Sequence, residues 1–190
     1  VNASPSKGSL IVAQLAMALE TIRPDIKFEV VEGRGSWNKS LATVSRDMGR
    51  TVERLSNVRV TKTTQDMRPI YGRSRVLLAP SLGWESAGRV IVEASLNGIP
   101  SVVTNIGGIP EMVGGGGVIV TLPKRLHEPP YESLLSQKEV QALTDVLIRL
   151  FDDEETYETY VKAAEAYGNS KHNIEKSTST LLNVFEEMVG

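Results

Sequence analysis

Hydrophobic positions change period several times along the chain, and the changes divide it into short elements. Residues 7–22 place Ile11, Leu15, Ala18 and Ile22 at steps of four, three and four, the spacing of one helical face. Arg23 and Pro24 supply a basic last turn and a stop. Residues 26–31 (IKFEVV) are a short β-rich run that closes in the turn Glu32-Gly33-Arg34-Gly35. Residues 37–55 read as helix, 57–64 (NVRVTKTT) as a strand and 67–73 as a short helix. The uninterrupted apolar run over 76–80 suits a strand buried on both faces. A helix is predicted over 88–97, ended by Asn97-Gly98 with Pro100 two residues on. Residues 101–104 form the next strand, Pro110 opens a short helix, glycines 114–117 turn, and 118–120 form a last strand. Strands alternating with helices in this way predict a doubly wound α/β fold, a parallel sheet covered on both faces.

Residues 122–136 are a Pro-punctuated loop, and everything beyond them is helical. Val140, Leu143, Leu147 and Leu150 step by three, four and three; Tyr157, Val161 and Ala164 continue; Ile174, Leu181, Phe185 and Met188 line a final helix. The expected organisation is an α/β core over 1–136 and helices over 137–190 packing on the same domain. Leu10, Ile11, Val12, Leu15, Met17 and Leu19 spread around more of the first helix than one sheet contact requires. Some of that surface is therefore expected to face another domain.

Composition narrows the chemistry. The chain has 190 residues, 41% hydrophobic and 23% charged, as ordinary soluble domains do. It has no Cys, which excludes disulfides, thiolate zinc sites and cysteine nucleophiles. A net charge of −2 gives no general attraction to nucleic acid or to an anionic membrane. Two histidines, His127 and His172, are too few for a dense His metal cluster. No signal peptide and no run of about 18 apolar residues is visible, so a cytoplasmic location is expected. Val1 reads as the end of a strand, and the chain as a piece of a longer protein.

In a doubly wound sheet, ligands collect beyond the carboxyl ends of the strands. That rule selects five loops: 2–6, 32–35, 61–66, 81–87 and 105–110. The fourth opens the densest stretch, PSLGWESAGRVIVEASLNGIP. Glu85 and Glu93 on one helix would stand about 12 Å apart along the axis and rotated by roughly 80°, so they are not a couple on one face. With Glu85 in the loop and Glu93 one turn into the helix, both look into one crevice from different depths. Between them the backbone N–H groups of 86–90 open the helix, a natural anion site. Carboxylates beside an anion site suit a ligand that combines phosphates with hydroxyls.

The block over 80–120 joins Pro80-Ser81, Glu85-x7-Glu93, Glu93-Ala94, Gly98-x-Pro100 and Gly107-Gly108-Ile109-Pro110-Glu111. Together these motifs resemble the C-terminal donor-binding domain of a retaining GT-B glycosyltransferase of group 1 (family 4). Pro5-x-Lys7-Gly8 is similar to that family's phosphate loop, so the resemblance runs from residue 1 to about 168. It implies a Rossmann-like domain that takes a nucleotide-diphosphate sugar, UDP- or GDP-linked, for hexose transfer, with no cofactor and no metal required. Lys7 would bind the diphosphate and Glu85 the hydroxyls of the transferred sugar, the implied catalytic pair. The amides of Ser86, Ala87, Gly88, Arg89 and Val90 would hold sugar and phosphate, and Glu93 the ribose hydroxyls. Thr63 and Thr64 would lie near the base, with Asn2, Gly107 and Gly108 completing the donor site. Many members carry Arg where Asn2 stands, and the common Glu-Gly-Phe-Gly reads Glu85-Ser86-Ala87-Gly88 here. The family's acceptor-binding N-terminal domain has no counterpart in this sequence, so the chain alone is expected not to transfer sugar. A catalytically silent nucleotide-sugar-binding module, or an α/β interaction module, is the alternative.

Several features read as structural on their own. Gly33-x-Gly35 lacks a third glycine at dinucleotide spacing and reads as a turn. Asp152-Asp153-Glu154 reads as a helix cap, Trp84 as a packing anchor, and both histidines as surface residues. For Gly107-Gly108, a tight turn and a binding role weigh equally.

Overall fold

A computed structural model describes residues 3–189. Asn2, and the strand end expected at Val1, lie outside the described residues. A 3-10 turn, Pro5–Lys7, precedes α1 (Ser9–Ile22), and Gly8 between them takes φ +77°, which favours glycine. Lys7 therefore sits in the turn before the helix instead of in its first turn. The order continues β1 (Phe28–Glu32), α2 (Trp37–Asp47), β2 (Val58–Lys62), α3 (Arg68–Tyr71) and β3 (Leu77–Ala79). Then come α4 (Arg89–Leu96), β4 (Ser101–Thr104), α5 (Ile109–Val113) and β5 (Gly117–Val120). Three helices close the chain: α6 (Gln137–Asp152), α7 (Glu154–Lys171) and α8 (Ile174–Val189).

All strand pairs are parallel, as the alternation predicts. They fall, however, into two ladders: β1 pairs with β2, and β3-β4-β5 form a second set. The fully buried strand is β4, not β3 as expected. With ladder partners on both sides, β4 is buried at all four residues, whereas Leu77 and Leu78 of β3 are half-buried beside an open edge. The helix expected over 37–55 stops at Asp47, and Gly49 at φ +65° turns the chain away.

Packing explains the all-round apolar character of α1. Leu10 and Met17 join Trp37, Leu41 and Val44 of α2, while Ile11, Leu15 and Leu19 join Leu143, Leu147 and Leu150 of α6. The helix is a wedge between two core clusters, so its apolar residues are consumed within this chain. That corrects the expectation of a second domain on α1. Fully burying one such aliphatic side chain stabilises by about 1.5–3 kcal/mol. Asp153 caps α7 by accepting from the Thr156 amide at 2.9 Å, as the acidic triplet predicts. α8 is different: every residue from Ile174 to Val189 is exposed, including Leu181, Leu182, Phe185 and Met188.

One ion pair ties α3 to the first ladder. Glu29 on β1 accepts from Arg73 through Nε and Nη2, each at 2.6 Å, and from Thr61 Oγ1 on β2 at 2.6 Å. The guanidinium, ahead of the hydroxyl, holds the Glu29 carboxyl down from 4.5 to about 2. A depressed carboxylate stabilises the fold fully above its unfolded value and loses that contribution as the pH falls toward its folded value. The chain is thus expected to lose urea resistance between about pH 4.5 and 2. Glu29→Gln should be weaker near neutrality, and its curve should converge with the parent's at the acid end.

Candidate functional site

Three loops meet at the carboxyl ends of β3 and β4. The turn over 4–8 is clamped to the loop after β3: Leu82 and Gly83 both donate their amides to Ser6 O, each at 2.9 Å. Gly8 lies so close to Pro80 that a Cβ would fall inside contact distance of its carbonyl. On the other side the Gly108 amide donates to Glu85 O at 2.8 Å. A Cβ on Gly107 would strike Glu85 O, and one on Gly108 would strike Ser86 O. Thr104 at the end of β4 donates its hydroxyl to Ser81 O at 2.5 Å. The Gly107-Gly108 pair therefore serves close backbone approach of two loops, and it fixes where Glu85 sits.

Lys7 and Glu85, 78 positions apart in sequence, form an ion pair here. Both side chains are largely enclosed, and the Ser81 hydroxyl donates to the same Glu85 oxygen at 3.3 Å. Burial pushes the Lys7 ammonium below its ordinary pKa. Glu85 is followed by Ser86, Ala87 and Gly88, where φ +54° at Gly88 turns the chain into α4. Arg89 is exposed, and Val90 is half-buried against Ile91, Ile109 and Val113. Glu93 lies one turn into α4, as the spacing predicts, and accepts from the Tyr71 hydroxyl at 2.6 Å. Burial first, and the carboxylate second, raise the Tyr71 pKa.

Tyr71 was not visible in the sequence as a site residue. The contact joins α3 to α4 across 22 positions and leaves no local pattern, so only the fold brings the two together. Ser81 escapes for a simpler reason, since a serine after a strand is ordinary turn chemistry. Thr63 and Thr64 follow β2 and are exposed; Thr64 Oγ1 accepts from the Asp66 amide at 3.1 Å. Neither threonine shares a hydrogen bond with Lys7, Glu85 or Glu93. Trp84 is 79% exposed, which corrects its reading as a packing anchor: the clamped backbone on either side holds the loop without it. The histidines are half-buried, not superficial, because each fills a junction. His127 Nδ1 lies 3.0 Å from Leu82 O, and the His172 ring is edge-on to Tyr167 at 5.7 Å. Among the described residues no three His, Asp or Glu side chains are grouped to hold a metal ion. No helix among them is long and apolar enough to cross a membrane.

The sequence model of the family described as Glycosyl transferases group 1 matches residues 5–153. The chain belongs to that family. No curated protein matches the sequence significantly. Solved glycosyltransferases superpose on nearly the whole chain. One from Rickettsia africae is 17% identical, with a TM-score of 0.72 over 100% of this chain and 46% of its own. Anabaena HepE, solved in complex with UDP-glucose, is 22% identical, with a TM-score of 0.72 over 98% and 47%. The pneumococcal O-GlcNAc transferase GtfA, solved with UDP and GlcNAc, is 16% identical, with a TM-score of 0.65 over 95% and 34%. At these identities the likeness shows the fold, that of the C-terminal half of GT-B glycosyltransferases. This group 1 domain spans between a third and a half of the length of those three proteins.

Proposed function

We propose that this group 1 domain binds a nucleotide-diphosphate sugar, UDP- or GDP-linked, as the donor half of a retaining, cytoplasmic hexosyltransferase. The observation that carries the reading is the meeting of Lys7 and Glu85 at the carboxyl ends of β3 and β4, beside the amides that open α4. In sugar transfer from such a donor, negative charge develops on the departing diphosphate. Lys7 and the amides of 86–90 are placed to stabilise it, which is electrostatic catalysis by groups already in position. When Lys7 turns to phosphate, Glu85 is released to accept from sugar hydroxyls. Glu93, held by Tyr71, accepts from the ribose hydroxyls. That HepE and GtfA were solved with UDP and a sugar supports this donor class.

An acceptor must be held at near-attack distance, a positioning contribution worth roughly 7–11 kcal/mol, and in this proposal a second domain supplies it. Residues 1–190 are accordingly expected to bind donor and transfer none of it. Calorimetry with UDP, GDP and ADP is the direct test. Binding of at least one diphosphate, much tighter than its nucleoside, supports the reading; no heat with any of the three at millimolar concentration overturns it.

The ribose assignment carries its own expectation. An amide accepts from hydroxyl donors less strongly than a carboxylate, by roughly 0.5–1.5 kcal/mol per bond. Glu93→Gln should weaken the preferred nucleoside diphosphate by about 2- to 10-fold and leave its 2′,3′-dideoxy analogue unaffected. Equal losses for both compounds in the same titration would remove Glu93 from the ribose.

A further inference from the structure

We propose that the cavity between β1 and β3 is a slot for one additional parallel β-strand, supplied by the polypeptide that enters Ala3 from its N-terminal side. The cavity measures about 1080 Å³ and is lined by Phe28, Val30 and Val31 of β1 and by Val76, Leu77 and Leu78 along β3. Each strand has a ladder partner on one side only among the described residues: β2 for β1, and β4 for β3. The amides of Phe28 and Leu77 point to those partners, donating to Asn57 O at 2.8 Å and Pro100 O at 2.9 Å. Because backbone groups alternate sides along a strand, those of Glu29 and Val31 on β1, and of Leu78 on β3, turn toward the slot. Backbone donors away from water are costly to leave unpaired.

A strand lying between the two ladders would pair with both and join them into one sheet. The first rung is already present. Ala3, 3% exposed, forms a parallel bridge with Gly35, just beyond the end of β1. A chain running into Ala3 in that direction lies alongside β1, and with α1 as crossover it makes a βαβ unit with β1. At about 3.3 Å per residue, reaching back from the level of Gly35 to that of Phe28 takes about seven residues. The occupant is apolar at successive positions, since Val12 of α1 and Leu147 and Phe151 of α6 also line the cavity.

The test adds the strand. Residues 1–190 are prepared with six residues of Val and Ile joined before Val1. Controls carry a Gly-Ser extension of equal length, or the apolar one with a central Pro. The apolar extension is expected to raise Tm by about 10 °C or more over Gly-Ser and to slow amide exchange at Glu29, Val31 and Leu78 by at least about 100-fold. The Pro version should fall back toward Gly-Ser. Tm and exchange that ignore the apolar extension would overturn the proposal. So would slow exchange at all three amides in dilute, monomeric 1–190. Protection that appears only as 1–190 dimerises would give the slot to a second copy, also against the proposal. If the extended chain aggregates, the same peptide is titrated into 1–190. Saturable protection of the three amides then supports the slot, and its absence overturns it.

Discussion

Lys7→Ala is expected to weaken nucleoside diphosphate binding by about 10- to 150-fold while leaving the nucleoside within about twofold, because a charge-assisted hydrogen bond is worth roughly 1.5–3 kcal/mol. The ion pair with Glu85 sharpens the test. Glu85 occupies the ammonium in the ligand-free domain and repels an incoming phosphate. Glu85→Gln removes both effects, so it should tighten a nucleoside diphosphate that has no sugar and weaken the matching nucleotide sugar. Opposite signs for the two ligands, read by calorimetry, assign phosphate to Lys7 and sugar to Glu85. If Glu85→Gln weakens both equally, the pair acts only as structural cement.

Gly107→Ala is expected to be among the most destabilising single-methyl additions. Two costs combine: a left-handed backbone for Ala at φ +56°, about 1–2 kcal/mol, and overpacking against Glu85 O, about 1–3 kcal/mol. A loss of about 2–5 kcal/mol lowers Tm by on the order of 10 °C in a domain of this size. Whatever folded fraction survives should bind donor poorly, since the displaced carbonyl belongs to Glu85 itself. Gly115→Ala is the control: the nearest atom to its Cβ is Ala163 Cβ at 3.8 Å, and its φ is not positive. Thermal melts of the two variants should differ widely; similar Tm values would mean that the loops over 85–86 and 107–108 yield easily.

How much of this was legible from residue types depends on the range of the interaction. β4 coincides with the expected 101–104, and α4 falls within a residue of 88–97, because periodicity, Asn97-Gly98 and Pro100 are local signals. The Lys7–Glu85 contact was foreseeable only as a shared crevice, by way of the loop rule and the family motifs. Strand pairing leaves no trace in hydrophobic period. The separation into two ladders, and the resulting half-burial of β3, were therefore invisible. Tyr71 on Glu93 and the exposure of Trp84 were missed for the same reason. Each depends on which distant backbone reaches a given side chain. The all-round apolar face of α1 was read correctly as a demand for partners and assigned to the wrong ones.

The clamped turn before α1 has a thermodynamic consequence. Two amides converge on Ser6 O, Gly8 abuts Pro80, and the following helix is wedged between two cores, so the backbone under Lys7 has nowhere to move. Adaptation to a ligand then falls to the flexible stem of the lysine, with the loop already in its working shape. Ordering a loop on binding consumes affinity, and here that ordering accompanies folding instead. Rigid-body comparison of the empty and occupied domain should accordingly superpose these loops closely, and the entropy of donor binding should reflect side chains and water far more than main chain.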